Sequence, residues 1–294
     1  MKQVAAAAGE APMPSRDRSR AFGAILVEQG RLNPADAEEI QRFAGANGLR
    51  FGDAAIRLKL LTQEDIDFAL AQQYNYPILA RGGANGVSDD VVAGYMPQND
   101  SVEPLRVLRS QLTHRWFNDA SHKALAVTSP GRGDGRSWLA ANLATVFAQI
   151  GERTLLIDAD MRHPRQHTLF NLNNSVGLSS LLTGRAGKEA ASRIHPQLRL
   201  FVLPAGLLPP NPQELLGRPV FDLVLERFTD QFDVIIIDTP PAAETADAQI
   251  VAKRVGGALM LARRGVTRQA QLTAATQSLV QTGVNVVGSV FNEF

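Results

Sequence analysis

The chain has no cysteine. That excludes disulfides, thiolate zinc sites and thiol catalysis. It also lacks any apolar run near the ~18–20 residues that cross a bilayer. The first twenty residues, MKQVAAAAGEAPMPSRDRSR, hold only a short alanine run, ended at once by Glu10, Pro12 and Pro14. A secretory signal needs a longer apolar segment, so 1–19 read as a disordered tail. Charge of one sign is missing too: 30 Lys and Arg face 29 Asp and Glu. No global basic field therefore argues for nucleic acid. The five histidines are scattered, and Pro164 between His163 and His167 breaks the spacing a helical metal pair would need. Tyrosine is scarce: Tyr74, Tyr76 and Tyr95 are the whole set.

What remains is a globular composition, 45% hydrophobic and 20% charged over 294 residues, enough for one large domain or two ordinary ones. The first eighty residues contain a repeat. GAILVEQGRLNPADAEEI (23–40) matches GDAAIRLKLLTQEDIDFA (52–69) twenty-nine positions on. Val27 falls on Ile56, Leu32 on Leu61, Asn33 on Thr62 and Asp36 on Asp65. Each half reads as a short helix, a turn and a capped helix. Asn33 before Pro34 is a helix start, and Thr62 with Asp65 approximates a capping box. A small helical domain over 20–80 follows. Residues 81–101, RGGANGVSDDVVAGYMPQNDS, read as a linker.

The helical repeat resembles the N-terminal domain of type II secretion and pilus-assembly ATPases. Some of those domains bind cyclic di-GMP through paired units that begin with Arg-Leu-Gly. The second unit here fits at Arg50, Phe51, Gly52, Ile66, Leu70 and Gln73, with Lys59 in a glycine place. The first fits at Gly23, Leu26 and Gly30 but has Ala21, Gln41 and Ala44 elsewhere. The resemblance implies either a cyclic di-GMP site at Arg50, Gly52 and Gln73 or a plain protein-docking domain.

From 102 to 294, near-continuous apolar runs alternate with amphipathic stretches. The runs are 123–129, 153–160, 198–206, 232–240, 257–263 and 284–292. They suit strands buried on both faces. The alternation predicts an α/β domain: a doubly wound, mostly parallel sheet whose ligands bind beyond the carboxyl ends of the strands.

SPGRGDGRS (129–137) follows the first run and opens a helix-like one. Gly131, Gly133 and Gly135 permit positive φ and close approach of N–H groups to an anion, and a helix N-terminus adds its dipole. The candidates for nucleotide contact are these glycines with Asp134, Arg136, Ser137 and Trp138. Ser137 is placed to offer a hydroxyl to Mg²⁺. Arg136 stands where such loops carry lysine; its planar fork keeps the charge but not the geometry. A tight strand-to-helix turn would also favour glycine. Two acidic partners decide between the readings. Asp158 and Asp160, two apart at the end of one run, share a face, and crowded carboxylates need a cation or a proton between them. Asp238 ends a second run. ATP with Mg²⁺ is the expected ligand, Mg²⁺ falling to Ser137, Asp158 and Asp238. The catalytic candidates are Arg136, Asp158, Asp160 and Asp238, with the carboxylate roles interchangeable.

The loop, IDADMR (157–162) and IDTPP (237–241) resemble the three motifs of the bacterial tyrosine kinases of polysaccharide export. So do Glu103, Arg106 and Arg109 in EPLRVLRSQL (103–112), the segment PPNPQELL (209–216), and GSVFN (288–292). The resemblance implies a P-loop fold and an ATP-dependent tyrosine kinase acting in exopolysaccharide chain-length control, of the type found in exosortase-associated loci. It implies a cytoplasmic chain recruited to the inner membrane by a separate chain-length regulator. It also implies a ring-like homo-oligomer through Glu103, Arg106 and Arg109, and adenine reading by Asn292. A solvated helix face would explain that charged trio equally simply. Two departures stand out: Arg136, and a chain that stops at VFNEF without the tyrosine cluster such kinases carry. Of the three tyrosines, Tyr95 reads as the better-exposed phosphate acceptor. Two rivals stay open, a switch ATPase of the ParA/MinD class (whose early loop lysine would fall at Gly131) and an ATP-sensing assembly regulator with little turnover.

Overall fold

The computed structural model describes residues 15–73, 76–79 and 86–293. Tyr74 and residues 1–14 of the expected tail lie outside them. The chain divides between Pro77 and Ile78 into two compact units.

The first unit is helical: α1 (Ser15–Glu28), α2 (Pro34–Asn47), α3 (Phe51–Arg57) and α4 (Gln63–Gln73). α1 begins inside the segment read as tail, because no helix breaker lies between Pro14 and Glu28 apart from Gly23. The sequence repeat is a backbone repeat. Asn33 Oδ1 accepts the Asp36 N–H at 2.8 Å, and at the matching place Asp65 and Thr62 cap each other reciprocally. Such caps are worth ~1 kcal/mol each. Gly30 (φ 68°) and Lys59 (φ 57°) occupy the same left-handed turn, so the lysine in a glycine place did not change the fold. Phe22 and Phe51, also repeat partners, meet edge-to-face at 5.8 Å between ring centres. Leu26, Leu32, Ile40, Leu61 and Ile66 complete the core.

The second unit holds α5 (Val92–Tyr95), α6 (Val102–Arg115), β1 (Ala124–Thr128), α7 (Arg136–Gln149), β2 (Thr154–Asp158), α8 (Gln166–Leu169), α9 (Leu178–Leu182), β3 (Ser192–His195), β4 (Leu198–Leu203), α10 (Pro212–Gly217), α11 (Val220–Thr229), β5 (Val234–Asp238), α12 (Asp247–Val255), β6 (Gly257–Arg263), α13 (Gln269–Gln281) and β7 (Asn285–Asn292). One sheet of order β3-β4-β2-β5-β1-β6-β7 runs through it. All pairs are parallel except β3 with β4. The six apolar runs are the six parallel strands. β3 is an addition: SRIH is short, polar and at an edge, so no apolar run announces it.

Side chains alternate between two cores. Leu125, Val127, Leu156 and Ile236 join α6 and α7 on one face. Ala126, Leu155, Ile157, Ile235 and Ile237 join α9, α11 and α12 on the other. This two-sided burial is why the strands read as continuous apolar runs.

The reading of 81–101 as linker fails for the described part. Val87, Val91 and Ala93 are buried in the first of these cores. Asn142 of α7 accepts the Ala93 N–H at 2.9 Å and donates to the Asp90 carbonyl at 2.8 Å, and Gln149 donates to the Ala93 carbonyl at 2.7 Å. Polar side chains of α7 thus pin a Gly- and Asp-rich strip whose own composition signals only turns.

Candidate nucleotide-binding site

The parallel order brings the carboxyl ends of β2, β5, β1, β6 and β7 together. Asp158 is the register partner of Asp238, and Arg263 that of Asn292. The loop 129–135 leaves β1 in their midst. Gly133 (φ 74°) and Gly135 (φ 102°) take the left-handed backbone that a side chain would strain. α7 then starts at Arg136, with its N-terminus at the loop.

Asp134, read as a nucleotide contact, is fully buried, and its carboxylate is taken up within the protein. Its carboxylate accepts the Gly131 N–H at 2.9 Å and the Thr267 hydroxyl at 2.9 Å. Its carbonyl accepts from the Asn292 amide at 3.0 Å. The aspartate is an internal brace that closes the loop on itself and ties it to the ends of β6 and β7.

Arg136 is only 8% exposed. It lines the cleft, with Nε and Nη1 of its guanidinium bonded to protein. Nε donates to the Thr239 carbonyl at 2.9 Å, and Nη1 to the Ser129 hydroxyl at 2.6 Å and the Gly131 carbonyl at 2.5 Å. These bonds join the loop after β1 to the loop after β5. An arginine can fork across such acceptors where a lysine offers one point.

The carboxylates divide. Asp158 Oδ2 accepts the N–H groups of Arg165 and Gln166, both at 2.9 Å, and Oδ1 that of Asp160 at 3.1 Å. Asp238 Oδ2 accepts from the Gln166 amide at 2.8 Å, while Oδ1 is buried without a partner, as is Gln166 Oε1. Burial first, then the charge of Asp238, pushes the Asp158 carboxyl well above the usual range. Burial likewise raises Asp238 to about 6, against the opposing pull of Arg136, of the neighbouring Ser137 hydroxyl and of the Gln166 amide. Asp160 lines the cleft and accepts the His163 N–H at 2.9 Å. Among the described residues, no three histidine or carboxylate side chains converge as a ready-made metal cage.

The cleft measures about 930 Å³. Ser137, Trp138, Asp160 and Asn292 line it, as do Leu105, Leu108, Val290 and Phe291 on an apolar side. Sequence reasoning missed Gln166, which also donates to the Ser137 carbonyl at 3.1 Å. A lone glutamine after a motif carries no signal of its own. Thr267 and Glu244 were missed for the same reason, and Arg132 was passed over inside the loop itself, between two of its glycines. Arg162 was read as part of a motif; it binds buried Asp247 at 2.9 Å. Tyr95, expected to be exposed, is half-buried with its hydroxyl on the Asp89 carbonyl at 2.7 Å.

The charged trio on α6 is engaged within the unit. Arg106 reaches Glu103 at 3.1 Å and the Pro97 carbonyl at 2.6 Å, and Arg109 reaches the Val146 carbonyl at 3.0 Å. In the helical unit, Arg50 is exposed ahead of α3, Gly52 faces Ile66 and Gln73 ends α4. A cavity of about 430 Å³ there is lined by Val27, Glu28, Pro34, Glu38 and Phe51 among others, and by none of those three. Two glutamates in its lining do not suit an anionic dinucleotide.

The donor set fits a Mg²⁺-bound nucleotide. Asp238 Oδ1 is an orphaned buried acceptor, which costs free energy unless something supplies charge or a proton, and the Ser137 hydroxyl is beside the same carboxylate. A glycine loop between strand and helix, with strand-end acids behind it, defines a nucleoside-triphosphate-binding protein of the P-loop class. No family model matches the chain. Curated relatives do. The tyrosine-protein kinase YwqD of Bacillus subtilis is 35% identical over 214 residues, which are 73% of this chain and 90% of that protein. The tyrosine-protein kinase Etk of Escherichia coli is 34% identical over 196 residues, 67% of this chain but 27% of Etk. The solved kinase domain of Etk superposes with a TM-score of 0.68 at 28% identity, covering 76% of this chain and 92% of that one. The cell division ATPase MinD of Pyrococcus furiosus, at TM-score 0.51 and 22% identity, shares the fold. The chain belongs to the bacterial tyrosine-protein kinase family.

Proposed function

We propose that the chain binds ATP with Mg²⁺ on the loop 129–137 and transfers the γ-phosphoryl group to a tyrosine hydroxyl. The single observation that carries this is Asp238: a buried strand-end carboxylate with an unpartnered oxygen beside Ser137, behind a glycine loop. In this reading the loop's backbone N–H groups and the dipole of α7 cradle the phosphates. Ser137 and Asp238 hold the metal, and Asp158, bonded on both oxygens, anchors the loop after β2. Mg²⁺ supplies neutralisation of charge on the β- and γ-phosphates. Asp160, at the cleft wall, orients the tyrosine hydroxyl and takes its proton as oxygen bonds to phosphorus and the bond to ADP breaks. Asn292 and the apolar wall receive the base.

The family supports a role in exopolysaccharide chain length or export beside a membrane chain-length regulator. Among the described residues no helix is long and apolar enough to cross a membrane, which agrees with recruitment by a partner. Self-association through Glu103, Arg106 and Arg109 belongs to the same proposal. Because Arg106 and Arg109 hold carbonyls of their own unit, its test is the sedimentation of Glu103→Arg, which leaves those bonds in place.

A second reading, an ATPase switch or ATP sensor with little kinase activity, draws on two observations: Arg136 is committed to the loop, and Tyr95 is half-buried. Incubation with γ-labelled ATP and Mg²⁺ separates the readings. Label on tyrosine supports the kinase, free phosphate alone the switch, and neither the sensor. Asp160→Asn must erase whichever activity is seen, or the site is misplaced.

A further inference from the structure

Arg136 is held in place through Nε and Nη1, so it cannot swing out to follow the terminal phosphates, and a more mobile cation nearby is better placed to do so. Arg132 lies between Gly131 and Gly133 and lines the cleft. Its Nε donates to both oxygens of Glu244 at 2.7 Å, and its Nη1 lies 3.0 Å from His163 Nε2. The three residues come from the loops after β1, β2 and β5, so the pairing latches three loops across the mouth of the site. The Arg132 and Glu244 side chains are 51% and 37% exposed.

The two arginines differ in what their departure would leave behind. Withdrawing Arg136 would strip the Thr239 and Gly131 carbonyls and the Ser129 hydroxyl of a donor in a buried place, and remove the cation beside Asp238. Withdrawing Arg132 would leave Glu244 to water. An exposed ion pair is worth little, and a polyphosphate offers a guanidinium more charge and the same forked geometry. We propose that Arg132, rather than Arg136, is the side-chain cation that meets the terminal phosphates of the bound nucleotide, exchanging Glu244 and His163 for them. This rests on the nucleotide-binding reading above.

The test is calorimetric titration of the full chain with ADP–Mg²⁺ and with a non-hydrolysable ATP analogue–Mg²⁺. Arg132→Gln should weaken the triphosphate analogue tenfold or more. Glu244→Gln, which loosens the grip without changing shape, should tighten it two- to threefold, and should do nothing in the Arg132→Gln background. Arg132→Gln binding like the parent, or a Glu244→Gln effect that persists without Arg132, overturns the inference. A parent chain that binds neither nucleotide overturns the underlying reading instead, and the inference falls with it. Thermal melting without nucleotide should be unchanged in all three variants, so that lost affinity is not lost folding.

Discussion

Asp158 and Asp238 are register partners on adjacent parallel strands, both fully buried, yet only Asp158 has both carboxylate oxygens satisfied by backbone N–H groups. Asp238 keeps one oxygen without a partner. The strand pairing thus sets an anchored acid beside an unsatisfied one, and the unsatisfied one faces Ser137.

A pH dependence follows. Both carboxyls are raised in the folded protein, Asp238 to about 6. Between the unfolded value near 4 and that folded value, the native state binds more protons than the unfolded one. The ligand-free protein should therefore lose stability as pH rises from about 4 to 6, by an amount on the order of 1–3 kcal/mol for Asp238, with Asp158 acting in the same direction. Asp238→Asn removes the buried charge, and Gln166 can turn its unpartnered Oε1 to the new amide. Denaturant unfolding at pH 7 should show the variant more stable than the parent. The same variant should lose Mg²⁺-dependent nucleotide binding, and the parent's binding should weaken below about pH 6 as protons compete with metal. A flat stability profile in the parent would refute the assignment.

Restoring lysine at the loop should not restore a better enzyme. Arg136 serves three acceptors on two loops. Arg136→Lys would leave at least the Thr239 carbonyl unserved and is expected to cost about 1–2 kcal/mol in urea unfolding. Turnover of labelled ATP should fall or stay level. A rise in turnover with no loss of stability would mean that the side chain acts on phosphate after all.

Most of the α/β architecture was legible in the sequence because burial on both faces writes strands as apolar runs, and the loop and strand-end acids were legible because they occur together and in order, each ending an apolar run. The side-chain directions were not. Asp134 turns inward to Thr267, and Arg136 to Thr239, through contacts 133 and 103 residues apart; no local pattern encodes them. Val87 and Val91 were hidden in a strip rich in turn formers, since the residues that hold that strip, Asn142 and Gln149, lie in α7.

The second unit is closely packed at Gly257, where β6 begins. A methyl group there would lie 2.3 Å from the Trp116 ring. Trp116 is fully buried, donates its indole N–H to the Ala124 carbonyl at 3.0 Å and stacks on His122 at 3.9 Å, so it cannot step aside. Gly257→Ala should cost 2 kcal/mol or more. Thermal unfolding read by tryptophan fluorescence checks it, and an unchanged midpoint would show that the ring has room to move.

The helical unit offers a cleaner test, because the repeat supplies its own control. Lys59 holds φ 57° where its partner Gly30 holds 68°. A methyl group at Gly30 would meet nothing within 4 Å, so the contrast is one of backbone conformation alone. A left-handed residue with a Cβ costs about 1 kcal/mol, partly offset by the greater unfolded freedom of glycine. Lys59→Gly should slow hydrogen exchange across α3 and α4 by a few-fold, and Gly30→Ala should speed it across α1 and α2 by a similar factor. Equal and null effects at both positions would mean that the repeat's turns are not held in the conformation described, and that the correspondence between its halves stops at the sequence.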